Sequence, residues 1–226
     1  MTALALKVDI VSDVVCPWCV IGYKQFERAL AAMPGRFDVS VYWRPFELNP
    51  QMPAAGQDLR EHIAQKYGSS AEQSQQARSR LSSIGDSLGF HFDYFDGMRV
   101  VNTFGAHQLL HWAGTQGKQT ALKLALFSAF FSQRQDVSKE EVLVSAAGGV
   151  GLSETDAQEV LSSGRYAHEV REDQRWWLDR EIHAVPAFIF NDKYSVLGAQ
   201  EADTFVRVLE KLESRASAAP VSTNAS

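Results

Sequence analysis

The chain holds two cysteines in 226 residues, Cys16 and Cys19, and they close an apolar run near its beginning. A disulfide spanning two intervening residues constrains an unfolded chain very little, so the pair reads as chemistry rather than as a structural staple. Its setting restricts the fold. Leu4 to Val15 is rich in Val, Ile and Leu and predicts a buried strand. Pro17 suits the first turn of a helix, where a missing N–H costs nothing. Cys19, Tyr23, Phe26 and Leu30 then recur at helical spacing until Pro34–Gly35 stops the pattern. From Phe37 to Phe46, Val39, Val41 and Trp43 alternate with more polar neighbours, predicting a second strand. Strand, helix and strand in this order make a βαβ unit, right-handed and parallel.

Beyond Asn49–Pro50 the character changes. No strand is predicted from Gly56 to Asp179, only helices: Gln57 to Tyr67, Ala71 to Leu88, Asn102 to Ala113, Ala121 to Phe131, Ser138 to Ala147 and Ser153 to Leu161. Ser138 with Glu141 predicts a capping box, and Ser153 with Asp156 an acidic variant of it. Strand character returns at Pro186 to Phe190 and at Tyr194 to Leu197, joined by an Asn191–Asp192 turn as in a hairpin. A helix from Glu201 to Leu212 buries Phe205, Val208, Leu209 and Leu212, and the Ala- and Ser-rich residues 216–226 are read as a disordered tail.

Composition removes several functions. A net charge of −5 with interspersed signs offers no basic stripe for nucleic acid. The longest apolar segment, Ala121 to Phe131, is too short to cross a bilayer and contains Lys123. The first residues, broken by Lys7, Asp9 and Asp13, lack the basic-then-apolar order of a secretory signal. A cytoplasmic protein with neither a nucleic-acid nor a membrane partner is expected.

At a strand-to-helix junction, unpaired N–H groups and the helix dipole favour a thiolate at Cys16. Cys19, one turn further in, is placed to be the more buried, resolving sulfur. Pro17 stiffens the turn, and Trp18 offers an aromatic face beside the attacking sulfur. A zinc site wants two further ligands; His107 and His111 are the nominal candidates, but there is no second cysteine pair, and no metal is expected. Proline at the strand start in Val185–Pro186 removes a backbone donor, and a cis bond there would bring Val185 toward the cysteine turn, its carbonyl and N–H free for an extended substrate. Asp13 precedes Cys16 closely. It is read as opposing the thiolate, relaying a proton or simply facing solvent.

The Cys16–Pro17–Trp18–Cys19 motif, Arg44–Pro45–Phe46 with Leu48, Asn102 with Ala106–His107, Val185–Pro186 and Gly198–Ala199–Gln200, in this order, resemble the DsbA-like thioredoxin-fold family. Within it they are similar to the FrnE-type oxidoreductases, relatives of 2-hydroxychromene-2-carboxylate isomerases and kappa-class glutathione transferases. The resemblance covers the chain from Val8 to about Leu212. It implies an α/β fold, a thioredoxin fold with a large all-helical insertion: a discontinuous domain over residues 1–50 and 165–215, interrupted by 51–164. It implies that Cys16 is the nucleophile, Cys19 the resolving thiol and Pro186 a cis residue beside both. It places Asn102, Phe104 and His107 near the mouth of a substrate cleft, with Pro17, Trp18 and Val185. The function so implied is thiol–disulfide exchange with protein or small-thiol substrates, with no bound cofactor, glutathione as a conceivable co-substrate and a homodimer as the conceivable assembly. Glutathione-dependent isomerisation or transfer on small aromatic compounds, and a redox-locked binding protein or chaperone, are the alternatives.

Overall fold

The computed structural model describes residues 3–218. Its frame is a four-stranded sheet in the order β2-β1-β5-β6. β1 (Leu4–Ser12) lies at the centre, parallel to β2 (Phe37–Pro45) and antiparallel to β5 (Ala187–Phe190), which pairs antiparallel with β6 (Tyr194–Leu197). The parallel β1–β2 pair with α1 (Pro17–Ala31) between them is the predicted βαβ unit. The β5–β6 hairpin turns through Asn191 and Asp192, whose φ values of 49° and 56° are left-handed, as a tight hairpin turn requires.

A central strand flanked on both faces must be apolar on both faces, and from Val8 to Ser12 every residue of β1 is buried. Leu6, Val8 and Ile10 join the main core, where Phe26 of α1 packs against Phe188, Phe190 and Phe205. Phe205 comes from α9 (Ala202–Ala218), which crosses beside α1. The opposite face carries Val11, Ala187 and Ile189 against Trp177 of α8 (Ala167–Leu178). That face also holds Asp9, buried and paired to Arg44 at 2.6 Å.

Between β2 and β5 the chain builds α2 (Leu59–Tyr67), α3 (Ala71–Ser87), α4 (Phe104–Thr115), α5 (Gln119–Phe131), α6 (Glu140–Gly149), α7 (Glu154–Ser163) and then α8. The helical block is not free-standing. Its start at α5 caps the outer edge of β2: the Gln119 amide accepts from Trp43 N (2.9 Å) and donates to Trp43 O (3.0 Å), standing in for a missing strand. Trp43 Nε1 donates to Thr120 Oγ1 at 3.0 Å.

Three expectations need correcting. The insertion is not all-helical: β3 (Gln57–Asp58) and β4 (Arg99–Val100) pair antiparallel, each too short to show an alternating pattern. The Ser138–Glu141 box does not form, because Ser138 Oγ donates to Asp136 Oδ1 at 2.6 Å and Lys139 becomes the uncapped helix start. A capping box does form three helices earlier, at Ser70 and Gln73, while at Ser153 the hydroxyl accepts from Asp156 N, the forward half of the predicted pair. Finally, α9 continues to Ala218, since a run of good helix formers propagates a helix already anchored by its buried stripe. Helix thus replaces the expected tail over 216–218, and the rest of that expectation, 219–226, lies outside the described residues.

Candidate active site

β1 ends at Ser12, and four residues later Cys16 is the N-cap of α1, with Pro17 opening the helix. The turn between is held by Cys16 N donating to Asp13 O (3.3 Å) and Cys19 N donating to Cys16 O (3.1 Å). Both cysteines are unbridged thiols, Cys16 retaining 4% exposure and Cys19 none. Val185–Pro186 is cis, as the resemblance implied, and Val185 O lies 3.9 Å from Cys16 Sγ. The contact is set from behind by α1: a Cβ at Gly22 would come within 3.0 Å of Pro186 Cγ and 3.3 Å of Phe188. Only glycine lets the helix approach the loop that closely. The Val185 N–H has no backbone acceptor among the described residues.

Beneath the sulfurs lies a group of buried charges. Asp13 is 1% exposed, which overturns a solvent-facing role. Its Oδ2 accepts from Leu48 N at 2.8 Å, and its Oδ1 lies 3.4 Å from His107 Nε2. Burial alone would raise its carboxyl; the His107 contact, the Leu48 N–H and the Lys123 charge together hold it below the usual carboxylate range. Lys123 of α5 is 1% exposed and stands over the rings of Trp43 and Phe127, at 5.2 and 5.0 Å. Its hydrogen bond runs to Ser12 O, at 3.4 Å. Burial pushes this ammonium down to about 8, against the charges of Cys19, Asp13 and Cys16, which favour it.

These surroundings divide the two sulfurs. The Cys16 thiol is pushed up, first by its hydrogen bond to Cys19, then by burial and by the Cys19 charge, with Asp13 adding to the effect. Burial would raise Cys19 as well, but the Cys16 thiol, the Lys123 charge and the Ser12 hydroxyl bring it down. The first proton lost by the pair therefore leaves a charge shared through S–H···S⁻ and leaning toward Cys19.

The other expected site residues divide in the same way. Trp18 is 41% exposed beside the cysteines and available to a partner. His107, expected at the cleft mouth, is 2% exposed and donates to Phe46 O at 3.0 Å or faces Asp13. Asn102 spends its side chain on the entry to α4, accepting from Phe104 N (2.9 Å) and donating to Met52 O (3.4 Å). The Phe104 ring is covered by the Arg171 guanidinium at 3.8 Å. Neither is presented to the cysteines as a substrate contact. His111 stacks near Tyr166 rather than joining His107, and no metal-holding cluster occurs among the described residues.

Three residues of the helical block were not anticipated. Tyr67 and Tyr94 stand near enough to Cys16 for its charge, after burial, to raise both phenols. Lys123 was visible only as a charge interrupting an apolar helix, which is the one signal that it has a buried partner.

A sheet of this topology, with a CxxC pair at the first strand-to-helix junction and a cis-proline loop against it, defines a thioredoxin-fold dithiol protein. The comparisons with known proteins are specific: residues 7–210 match the DSBA-like thioredoxin domain, and the chain belongs to that family. It is similar to a probable DsbA oxidoreductase of Streptomyces coelicolor, with 35% identity, a TM-score of 0.88, and coverage of 96% of this chain and 92% of that one. It is also 26% identical to the uncharacterized protein YwbO of Bacillus subtilis, over 91% of this chain and 96% of the relative. The cytosolic disulfide reductase DsbM of Pseudomonas aeruginosa, solved with GSH, shares the fold at 14% identity and a TM-score of 0.62, over 91% of this chain and 98% of that one. The family assignment places the chain among DsbA-type oxidoreductases, and no helix among the described residues is long and apolar enough to cross a membrane.

Proposed function

We propose that the protein exchanges its Cys16–Cys19 dithiol for the disulfide of an outside thiol compound or protein. The observation that carries this reading is the stacking of the two sulfurs. Cys16 faces the Val185 carbonyl, and Cys19 is fully buried one turn behind it. In the reducing direction, Cys16 sulfur attacks one sulfur of R–S–S–R′, forming Cys16–S–S–R and releasing R′S⁻, which takes a proton. Cys19 gives up its proton and attacks Cys16 Sγ; the internal disulfide forms and RS⁻ leaves to be protonated. Two electrons pass to the substrate, and the reverse sequence oxidises a dithiol. Val185, whose N–H has no backbone acceptor among the described residues and whose carbonyl lies beside the sulfur, supports pairing with an extended chain, and Trp18 supplies an exposed aromatic surface next to it.

Insulin reduction driven by dithiothreitol tests the assignment. Cys16→Ser abolishes turnover. Cys19→Ser accumulates a mixed disulfide on Cys16, visible by mass spectrometry. Full exchange by Cys16→Ser would sink the reading.

A further inference from the structure

The attacking sulfur is the most enclosed part of its own site. Cys16 is nearly buried, while Trp18, two residues on, and Tyr67, the last residue of α2, are exposed rings, Tyr67 at 61%. Three hydrogen bonds lead from that sulfur's turn to α2. Cys16 N donates to Asp13 O (3.3 Å), Leu48 N to Asp13 Oδ2 (2.8 Å), and Lys66 Nζ to Leu48 O (3.0 Å). Lys66 also donates to Asn49 Oδ1 at 2.8 Å, which fixes the end of α2 on the 48–49 turn. Tyr67 follows, its ring centre 5.8 Å from Lys66 Nζ. Its phenol is raised by burial and then by the Cys16 charge, which agrees with that placement.

α2 is built unlike the other helices of the block that meet the core. None of its nine side chains is buried. Polar contacts hold it: the Asp58 cap, Leu59 N to Met98 O (2.8 Å), the Arg60–Asp96 pair and the two bonds of Lys66. Tyr67 packs in neither core cluster. A ring carried this way adds little to stability, and its consequence lies in what can pass it.

Attack requires the outside sulfur to come within about 3.5 Å of Cys16 Sγ. The Val185 carbonyl already stands 3.9 Å from that sulfur on the cis-proline side. A disulfide on a narrow, flexible carrier can enter between these groups. One set in the surface of a compact protein brings its own surroundings with it, and these meet the two rings first. Resting on the exchange proposed above, we propose that Tyr67 is a specificity-determining residue. With Trp18 it rims an entrance to Cys16 that admits narrow, flexible disulfides and turns away those fixed in a compact fold. Tyr67 takes no part in bond making; the bonds, electrons and protons move as already written.

Single-turnover reduction by the dithiol protein tests this with two probes, hydroxyethyl disulfide and the compact protein insulin. Each rate is divided by that of dithiothreitol with the same probe, which removes intrinsic reactivity and leaves a selectivity ratio. The wild-type ratio should favour hydroxyethyl disulfide by about tenfold or more. In Tyr67→Ala it should fall by about fivefold or more, through faster reaction with insulin. Tyr67→Phe keeps the ring and should keep the wild-type ratio. Lys66→Met frees α2 from the 48–49 turn with the ring intact, and should lower the ratio by about threefold. A wild-type ratio near one, a Tyr67→Ala ratio equal to wild type, or a Tyr67→Phe ratio that follows Tyr67→Ala overturns the proposal. Rates with both probes that survive Cys16→Ser defeat instead the exchange mechanism on which it rests.

Discussion

Cys16 and Cys19 are one helical turn apart, yet they occupy different environments. Around Cys16 the groups are backbone and aromatic: the Val185 carbonyl, the Trp18 face and the two tyrosines of the helical block. Around Cys19 they are sealed and polar: the Lys123 charge, the Ser12 hydroxyl and the Asp13 backbone, while the Asp13 carboxylate acts on Cys16. The first set includes an exposed ring, and the second is closed to solvent and holds the buried cation. A thiol pair thereby separates recognition from electrostatics, and the βαβ unit supplies the first set while α5 and its Lys123 are brought in from the insertion.

The strongest way to break that contrast is to remove a charge from the sealed side. In Asp13→Ala the Leu48 N–H loses its acceptor and His107 and Lys123 lose their nearest carboxylate, so a loss of about 3–5 kcal/mol in urea denaturation is expected. Trp18→Ala on the open side should stay within about 0.5 kcal/mol of wild type, because that ring is substantially exposed. The carboxyl also sets a pH signature. Its folded-state proton affinity is lowered, so its contribution is complete above the ordinary carboxylate range and declines as pH falls through the depressed value. Asp13→Asn should flatten the acid limb of the stability curve.

Lys123 carries the opposite sign. Held at about 8 when folded against an ordinary 10.5, it binds its proton less well in the native chain. Stability therefore rises with pH between those values, and below 8 the full cost of burying the ammonium is present. Lys123→Met should be the more stable protein at pH 7, by roughly 3 kcal/mol at most, with the advantage fading between pH 8 and 10.5. Chemical denaturation of both proteins across that range checks it.

How much of this was legible beforehand follows from the distances involved. The βαβ unit, the hairpin and the cysteine turn are local, so periodicity, Pro17 and Asn191–Asp192 announce them. The Val185–Pro186 contact spans the chain, and it was reached through motif order rather than through any local signal. Lys123 could not be assigned, since its meaning depends on Ser12 and Asp13, which precede it by more than a hundred positions. The same holds for His107: its helix was readable, but which way its face turned was decided by Phe46 and Asp13. Ser138 shows a failure at short range, where Asp136 competed for the hydroxyl that a capping box needed.

The mildest test sharpens the comparison from the open side. Gly22 lies one turn beyond Cys19 on α1, where an added methyl would meet Pro186 Cγ at 3.0 Å, Phe188 Cε2 at 3.3 Å and Ala199 Cα at 3.4 Å. None of these neighbours retreats freely: Phe188 is fully buried in the core, and Gly198 N donates to Pro186 O at 2.8 Å. Gly22→Ala should therefore cost about 1 kcal/mol by overpacking, offset in part by the better helix propensity of alanine. What yields is the Pro186 loop, carrying Val185 O away from Cys16 Sγ while leaving Asp13, His107 and Lys123 in place. Attack by Cys16, read as the rate with an extended peptide disulfide, should fall severalfold, and resolution by Cys19 should hold. If Gly22→Ala instead slows only the second step, recognition and charge control are not divided between the two sulfurs in the way their surroundings indicate.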